Sequence, residues 1–544
     1  MVAVHRRDFL RVVSAGLSLP LLACQPGGAG RGAAVGGGRF EHGVASGDPL
    51  IDRVILWTRL TPQHEQAAPI PVELIVARDE DLAEPLLRVR SYAEAAHDFT
   101  VKLDVQGLEP GTTYHYVFLS GTERSPVGRT RTLPVGPVSS ARLAVLTCGD
   151  YSRGLFNVYA RVAERDDLDA VLHLGDYIYE NDNTDRVRAH EPPRKCLTLE
   201  DYRQRYAQYR QDPDLAALHA RHPVIWIWDD HEFANNAWRE GADNHDPATD
   251  GDFADRDAAA LTAALEWMPI RSPDPQRPLR IFRDFGFGEL FDLFMLDTRR
   301  IGRDQPLPAN TVFGDALPAF TQTGGFSDPG RQLLGPVQEA WLFDRLARSR
   351  ARWRLIGNQV MMAQLKVAGA PEALGGGIYG NPDQWDGYKP ARDRLLAHIG
   401  AQGIDNVVVL AGDFHVAFAS DISTDPNNPL VYEPLTGEGA LAVEFVTPSV
   451  SSAGDPPAPG VASLSDPEDL LEQLVVGNPA IFRAPNPHIK FSDGLNGYLI
   501  LDITEQALRA EFWNVPQVST LADGQELGAV FRVDAGRAAL RREL

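Results

Sequence analysis

The sequence predicts an α/β domain, a β-sandwich flanked by helices, preceded by a small all-β domain. Three observations predict this. Short period-two runs separated by turns fill residues 40–136, the pattern of a small β-sandwich. From Arg142 onward, apolar runs of four to six residues alternate with helix-like stretches, as buried strands of an α/β domain do. Four of those runs end in clusters of Gly, Asp, His, Tyr or Cys, where α/β sheets collect their ligands.

The chain has 544 residues, enough for two or three domains. It is 44% hydrophobic and 23% charged, the composition of a soluble globular protein. Acidic residues outnumber basic ones 74 to 52, and the formal charge of −22 repels nucleic acid and anionic membranes in bulk. No specific nucleic-acid partner is therefore expected. The same carboxylate surplus suits oxygen-ligated cations, although acidity also serves solubility alone.

Residues 1–38 read as an address and a linker. Arg6-Arg7-Asp8-Phe9-Leu10 precedes a mildly apolar stretch at 12–23 that is too short to span a bilayer comfortably. This is similar to the signals of the twin-arginine export machinery, which carries folded proteins. Leu21-Leu22-Ala23-Cys24 resembles a lipobox, so cleavage there would leave Cys24 as a lipid anchor. Ordinary cleavage in the small-residue run after Gly27 is the alternative. The expected destination is the periplasm, as a membrane-anchored lipoprotein, or secretion. A Gly-rich linker, 27–38, follows.

Residues 39–136 form the predicted β-sandwich domain, with strands near 54–58, 72–76, 99–103 and 114–118. Leu108-Glu109-Pro110-Gly111-Thr112-Thr113-Tyr114 looks like a corner of fibronectin type III modules, so a fibronectin-III or Ig-like fold is expected. Residues 137–517 form the predicted catalytic domain. Its strands are expected at 143–146, 170–174, 224–228, 290–296 and 407–410, and its helices at 158–164, 199–209, 258–266 and 338–347. The Gly- and Pro-rich segments 302–336, 366–390 and 454–487 are expected as surface excursions. Strand character returns near 497–503 and 510–513, and 518–544 is set apart as a C-terminal tail.

The chemistry lies at the exits of four of the strands. These exits read Thr147-Cys148-Gly149-Asp150-Tyr151, Gly175-Asp176-Tyr177-Ile178-Tyr179-Glu180, Asp229-Asp230-His231-Glu232-Phe233 and Ala411-Gly412-Asp413-Phe414-His415. Singly, a Gly-Asp after a strand is usually a turn or a helix cap, and a lone cysteine is usually a buried apolar group. Together, on neighbouring strands, the four exits converge on one site. Gly-x-Ser-x-Gly, Walker and Rossmann glycine patterns are all absent, so neither a serine hydrolase elbow nor a nucleotide-binding loop is indicated.

Gly-Asp-x-x-Tyr, a strand-end Asp-His-Glu and Gly-Asp-x-His resemble the motif series of calcineurin-type metallophosphoesterases. The cysteine in the first motif, the DDHE form of the third and the GDxH form of the last are similar to the PhoD-like alkaline phosphatases. Glu444-Phe445-Val446-Thr447-Pro448-Ser449 and Asn486-Pro487-His488-Ile489-Lys490 resemble late strings of that family. The resemblance covers nearly everything beyond residue 40. It implies a metallophosphoesterase-type sandwich and hydrolysis of small-molecule phosphate monoesters or diesters. It also implies Asp176 as a bridging carboxylate, with Cys148, Tyr179 and His415 around ferric iron, a set that suits Fe³⁺ or a borderline divalent metal and not Mg²⁺. Asp230 and Asp413 replace the amide and imidazole of the zinc-type motifs and imply Ca²⁺.

The family's VxxH motif has no clear counterpart here; Asn358 or Gln359, after an apolar strand, would take its place as a ligand. Asp150 competes with Cys148 for the first-motif position. The implied catalysis is attack on phosphorus by a metal-activated water. His231 would protonate the leaving oxygen or hold the phosphate. Arg153, Asn235, Arg239 and His488 are candidates for contacting the substrate, each with an ordinary surface role as the alternative. Two other functions fit the same sequence less well. One is a phospholipase D-like or teichoic-acid phosphodiesterase, and the other is a non-catalytic exported binding lipoprotein.

Overall fold

The structure is a computed structural model and describes residues 37–544 except 65–67, 182–186, 272, 275, 278, 312–318 and 453–481. The twin-arginine string, Cys24 and the linker up to residue 36 lie outside the described residues, as does most of the excursion expected at 454–487.

Two large mixed sheets form the body of the protein. The first has ten strands, in the order Leu540–Arg542, Glu526–Asp534, Ala507–Asn514, Gly497–Thr504, Ser140–Leu146, Ala170–His173, Pro223–Trp226, Val44–Gly47, Arg53–Arg59 and Thr100–Gln106. The second has seven, in the order Arg283–Phe287, Phe291–Met295, Trp353–Gly357, Val407–Ala411, Ala442–Val446, Ala417–Ile422 and Ile489–Asp493. Both are parallel in the middle and antiparallel at the flanks. The central strands Ala170–His173, Pro223–Trp226 and Val407–Ala411 are buried at every position. Parallel strands are covered on both faces, which is why these segments read as unbroken apolar runs.

One apolar cluster joins the sheets face to face. It holds Leu143, Val145, Leu172 and Ile225 from the first and Leu293, Leu355, Val408 and Phe445 from the second. The outer face of the second sheet carries Phe294, Ile356, Val407 and Val409. They pack against Leu342, Leu346, Leu395 and Ile399 of helices Gly335–Arg348 and Lys389–Gln402. Helices Asn157–Ala163, Leu199–Arg210, Pro213–Arg221 and Phe253–Trp267 pack their apolar faces into the larger cluster. Leu199–Arg210 starts at a capping box formed by Thr198 and Asp201, which satisfies the first orphan N–H groups.

Apart from the short pair Gly38–Arg39 and Thr61–Pro62, the N-terminal strands divide between two sheets. Ile70–Ala77, Pro85–Ala93, Thr113–Ser120, Glu123–Arg124 and Gly128–Arg131 form a separate five-stranded sheet. Its Leu74, Val76, Tyr116 and Phe118 pack on Val44, Val54 and Leu56 of the ten-stranded sheet. The Tyr114 hydroxyl accepts the Glu109 N–H at 2.8 Å, the tyrosine-corner contact of Ig-like sandwiches. The second layer of this sandwich is therefore the edge of the large sheet. Val44–Gly47 lies parallel to Pro223–Trp226, the strand that ends in Asp229-Asp230-His231.

At the chain's other end, Glu526–Asp534 and Leu540–Arg542 continue the same sheet, with Phe531 in its core. The segment 366–390 is less peripheral than a surface excursion. After a hairpin of Lys366–Gly369 and Gly377–Tyr379, it runs inward, and Asp383, Gln384, Trp385 and Tyr388 are buried.

Asp48 fastens the N-terminal strands to the catalytic domain. It is fully buried, has a left-handed backbone and accepts from Arg271 N at 2.7 Å and Arg283 Nη2 at 2.5 Å. Asp48→Ala strips Arg283 of its carboxylate. It should destabilise the fold by about 3–5 kcal/mol, the usual cost of removing one partner of a buried pair. Thermal unfolding followed by circular dichroism checks this, and an unchanged melting temperature would show the clamp to be dispensable.

Candidate active site

Three of the four chemistry-bearing exits leave neighbouring strands of the first sheet, and the fourth leaves the facing sheet. Three of the four exits turn sharply. Cys148, Asp176, Asp413 and His415 have φ of 56°, 52°, 62° and 60°, a left-handed conformation that costs a non-glycine residue about 1–3 kcal/mol. Two glycines allow the close approach. A Cβ on Gly175 would lie 2.4 Å from Asp229, and one on Gly412 would lie 2.4 Å from the Thr147 hydroxyl. The Glu232 carboxylate holds two exits together, accepting the N–H groups of Asp229 at 2.8 Å, Asp176 at 3.1 Å and Tyr177 at 2.7 Å.

The donor atoms gather into three overlapping groups, each with all atoms within 4.8 Å of one another. These are Cys148, Asp176 and His415; Asp176, Asp230 and His231; and Asp229, Asp230 and Asp413. Asp176 belongs to two of them. Its Oδ2 lies 3.4 Å from the Cys148 sulfur and 3.1 Å from the Tyr179 hydroxyl. That hydroxyl is 3.1 Å from His415 Nε2 and accepts from Ser452 Oγ at 2.6 Å.

The electrostatics are those of crowded negative charge. Burial, then the charges of Asp230 and Asp413, push the Asp176 carboxyl up to about 7. Burial and the neighbouring Asp176 push the Cys148 thiol and the Tyr179 phenol well above their ordinary values. Burial works against charge on Asp230, but Arg299 and His231 outweigh it and hold its pKa at about 2. Burial also opposes charge on His231, yet Glu180, Asp230 and Asp176 raise its pKa well above the usual imidazole value. Its Nδ1 lies 2.7 Å from Glu180 Oε2, and its ring stacks on Tyr179 with centroids 4.1 Å apart.

A cation fits this set. Oδ2 of Asp229 is buried with no hydrogen-bond donor, and the pooled thiol, phenol, imidazole and carboxylates are donor types that bind metals. A bound cation would also reverse the upward pressure on the acids around it.

The expected residues do not all converge. Asp150 is in none of the three groups. Its carboxylate accepts from Ser152 N and Oγ, both at 2.8 Å, and faces His190 at 3.4 Å. Asn358 is turned into the core, where its oxygen accepts from Trp385 Nε1 at 3.1 Å and its amide donates to Val360 O. Gln359 likewise spends its amide on Thr298 and Leu296. Arg153 reaches Ser452 O at 3.0 Å and keeps nearly a third of its side chain exposed. Asn235 is half-buried and donates its backbone N–H to Glu180 at 2.9 Å. Arg239 is exposed beside Glu240 and Asp304, and His488 bonds Gln364 O at 2.8 Å, buried among other groups.

Sequence reasoning missed Arg299, Ser452 and Asp383, and passed over Glu180, Glu232 and Asp229 within motifs it quoted. Arg299 is fully buried and contacts the carboxylates of Asp229, Asp230, Asp383 and Asp413. Its signal was available, because Asp297-Thr298-Arg299-Arg300 comes after the strand Phe291–Met295 as the other motifs come after theirs. Ser452 carries no signal, since only the chain's return places it beside Tyr179.

A two-sheet α/β sandwich that pools such donors at facing strand ends is a scaffold suited to phosphoester hydrolysis. Comparison with known proteins agrees. Residues 143–512 match the PhoD-like phosphatase family, and residues 27–134 match its N-terminal domain. Alkaline phosphatase D of Bacillus subtilis (strain 168) is 35% identical, over 94% of this chain and 85% of that protein. A solved structure described as that of PhoD has a TM-score of 0.81 at 31% identity, covering 95% of this chain and 94% of the other. The chain belongs to the PhoD-like phosphatase family and is a phosphoesterase.

Glu232→Ala should release the Asp176 and Asp229 exits together and lower kcat by about 10² or more, since displacing a site by about 1 Å costs that much. Turnover of p-nitrophenyl phosphate measures the effect; wild-type kcat in the variant would mean that the three N–H bonds are not what orders the site.

Proposed function

We propose that this protein is an exported, metal-dependent alkaline phosphatase or phosphodiesterase that uses iron and calcium to hydrolyse small-molecule phosphate esters. The observation that carries the reading is the convergence of Cys148, Asp176, Asp413 and His415, all on left-handed exits, into overlapping donor groups, two of which share Asp176. Cys148, Tyr179, His415 and Asp176 would hold a ferric ion, because thiolate and phenolate favour a strongly polarising metal. Asp176, Asp230 and Asp413 would hold calcium, which prefers anionic oxygen. Bound there, the ions would lower the pKa of a water and offset charge on the phosphoryl oxygens.

The chain's own residues do the rest. Glu180 fixes the His231 ring through Nδ1, leaving Nε2–H to hold the phosphoryl group or protonate the leaving oxygen. Arg153, anchored at Ser452 O and partly exposed, is suited to receive the substrate's phosphate from solvent. Asn235 lies on the same loop as His231 and would contact the departing group. Arg6-Arg7-x-Phe-Leu and Leu21-Leu22-Ala23-Cys24 support export by the twin-arginine route, with Cys24 as a lipid anchor.

Purified protein should hydrolyse p-nitrophenyl phosphate or its bis-ester and lose that activity to EGTA. Activity indifferent to both calcium and iron chelators would exclude the metals. Tyr179→Phe should abolish a visible charge-transfer band, and Asp176→Asn should abolish turnover while leaving the melting temperature near that of wild type. A colourless wild type, or an active Asp176→Asn, would remove the iron or the bridging carboxylate from the scheme.

A further inference from the structure

We propose that Arg299 is a positioning residue that sets the calcium affinity of the centre by fixing the carboxylates of Asp230 and Asp413. The proposal rests on the iron-and-calcium reading above and adds to it a residue that is not itself a metal ligand.

Arg299 comes just after the strand Phe291–Met295 and is fully buried. All three of its guanidinium nitrogens are engaged. Nε meets Asp229, Nη1 lies 2.6 Å from Asp383, and Nη2 lies 2.5 Å from Asp413 and 3.3 Å from Asp230. Asp229 and Asp230 leave a strand of the ten-stranded sheet, whereas Asp413 leaves the facing sheet and Asp383 comes from the inward-running connection. A single planar cation therefore spans both sheets at the point where their acidic exits meet. The far side of each carboxylate is held as well. Gln384 donates to the other oxygen of Asp413, Asn236 N donates to Asp230 Oδ2 at 2.6 Å, and Arg303 meets the other oxygen of Asp383.

Without a central cation, Asp229, Asp230 and Asp413 would repel one another and either turn apart or take up protons, because burial and like charge both disfavour the ionised form. With it, one rotamer of each is fixed before any metal arrives. Lysine cannot substitute, since its ammonium is a point charge without the fork that serves four acceptors at once. On the iron side, the Cys148 sulfur and the Tyr179 hydroxyl face Asp176 Oδ2 rather than the guanidinium.

The test is a calorimetric Ca²⁺ titration of EGTA-treated full-length protein that has kept its iron, with the visible absorption recorded on the same samples. Arg299→Gln and Arg299→Lys should each weaken Ca²⁺ binding about tenfold or more, the usual size of an outer-shell effect on metal affinity. The charge-transfer band should stay at wild-type intensity. Asp383→Asn removes one support of the guanidinium and none of the donor groups, so it should fold where an Arg299 variant does not and should weaken Ca²⁺ binding in the same direction. Wild-type Ca²⁺ affinity in these variants would overturn the proposal. So would loss of the band in step with calcium, since Arg299 would then only hold the fold together. A wild-type protein lacking both the band and calcium would instead show that the underlying metal reading is wrong.

Discussion

Carboxylates taken out of water resist company. Asp176, Asp229 and Asp230 are buried and Asp413 nearly so, with donor atoms in overlapping groups no more than 4.8 Å across. An isolated buried carboxylate is costly, and one beside another is costlier still. The fold offsets part of this with two cations of its own, the Arg299 guanidinium and the His231 imidazolium, and with backbone N–H groups aimed at the oxygens. The balance stays negative, and burial first, then that deficit, raises the pKa of Asp176, Cys148 and Tyr179 together. The geometry of the sandwich serves this one requirement. Two sheets must face each other closely enough for their exits to interleave, and four residues must accept a left-handed backbone where they do.

Support for that arrangement reaches far from the site. The segment 361–366 is held almost entirely by polar groups from later in the chain. Glu444 accepts Met362 N and Ala363 N, Asp386 accepts Leu365 N, Asn486 brackets Lys366 through both N–H and C=O, and His488 bonds Gln364 O. Gln384 in turn accepts Met361 N while donating to Asp413. The strings Glu444–Ser449 and Asn486–Lys490 lie outside the donor groups and still bear on where Asp413 sits. His488, read from sequence as a candidate for substrate contact, belongs to this bracing, and burial holds its pKa at about 3, so the ring is neutral there.

The legible parts of the sequence were those where local chemistry and global position coincide. An apolar run buried on both faces and capped by Gly-Asp identifies a central strand and its exit without reference to anything distant. The exits at 148, 176 and 413 were found that way, and the exit at 230 by the Asp-Asp-His-Glu string after its apolar run. Asn358 misled because an amide after an apolar strand reads as a ligand. What decides its role is Trp385, brought in by a segment whose Gly and Pro content suggested surface. Asp150 sits two residues from Cys148, yet the left-handed turn at Cys148 sends it toward Ser152 and His190 instead. Arg299 was passed over for a different reason. An arginine after a strand is ordinary until four carboxylates from three other segments are seen to meet it.

The N-terminal strands show how far the site's demands extend. Were the sheet to end at Pro223–Trp226, the strand presenting Asp229, Asp230 and His231 would be an edge, with unpaired backbone groups and freedom to shift. Val44–Gly47 pairs alongside it, Arg53–Arg59 and Thr100–Gln106 continue the sheet outward, and the five-stranded sheet covers their far side. Asp48 then locks the junction through Arg271 and Arg283. A module that only displayed an adhesive surface would need none of this continuity. The continuity makes an interior strand of the one on which His231 and Asp230 depend, and so ties the all-β region to the chemistry through strand pairing, with no residue of its own among the donor groups.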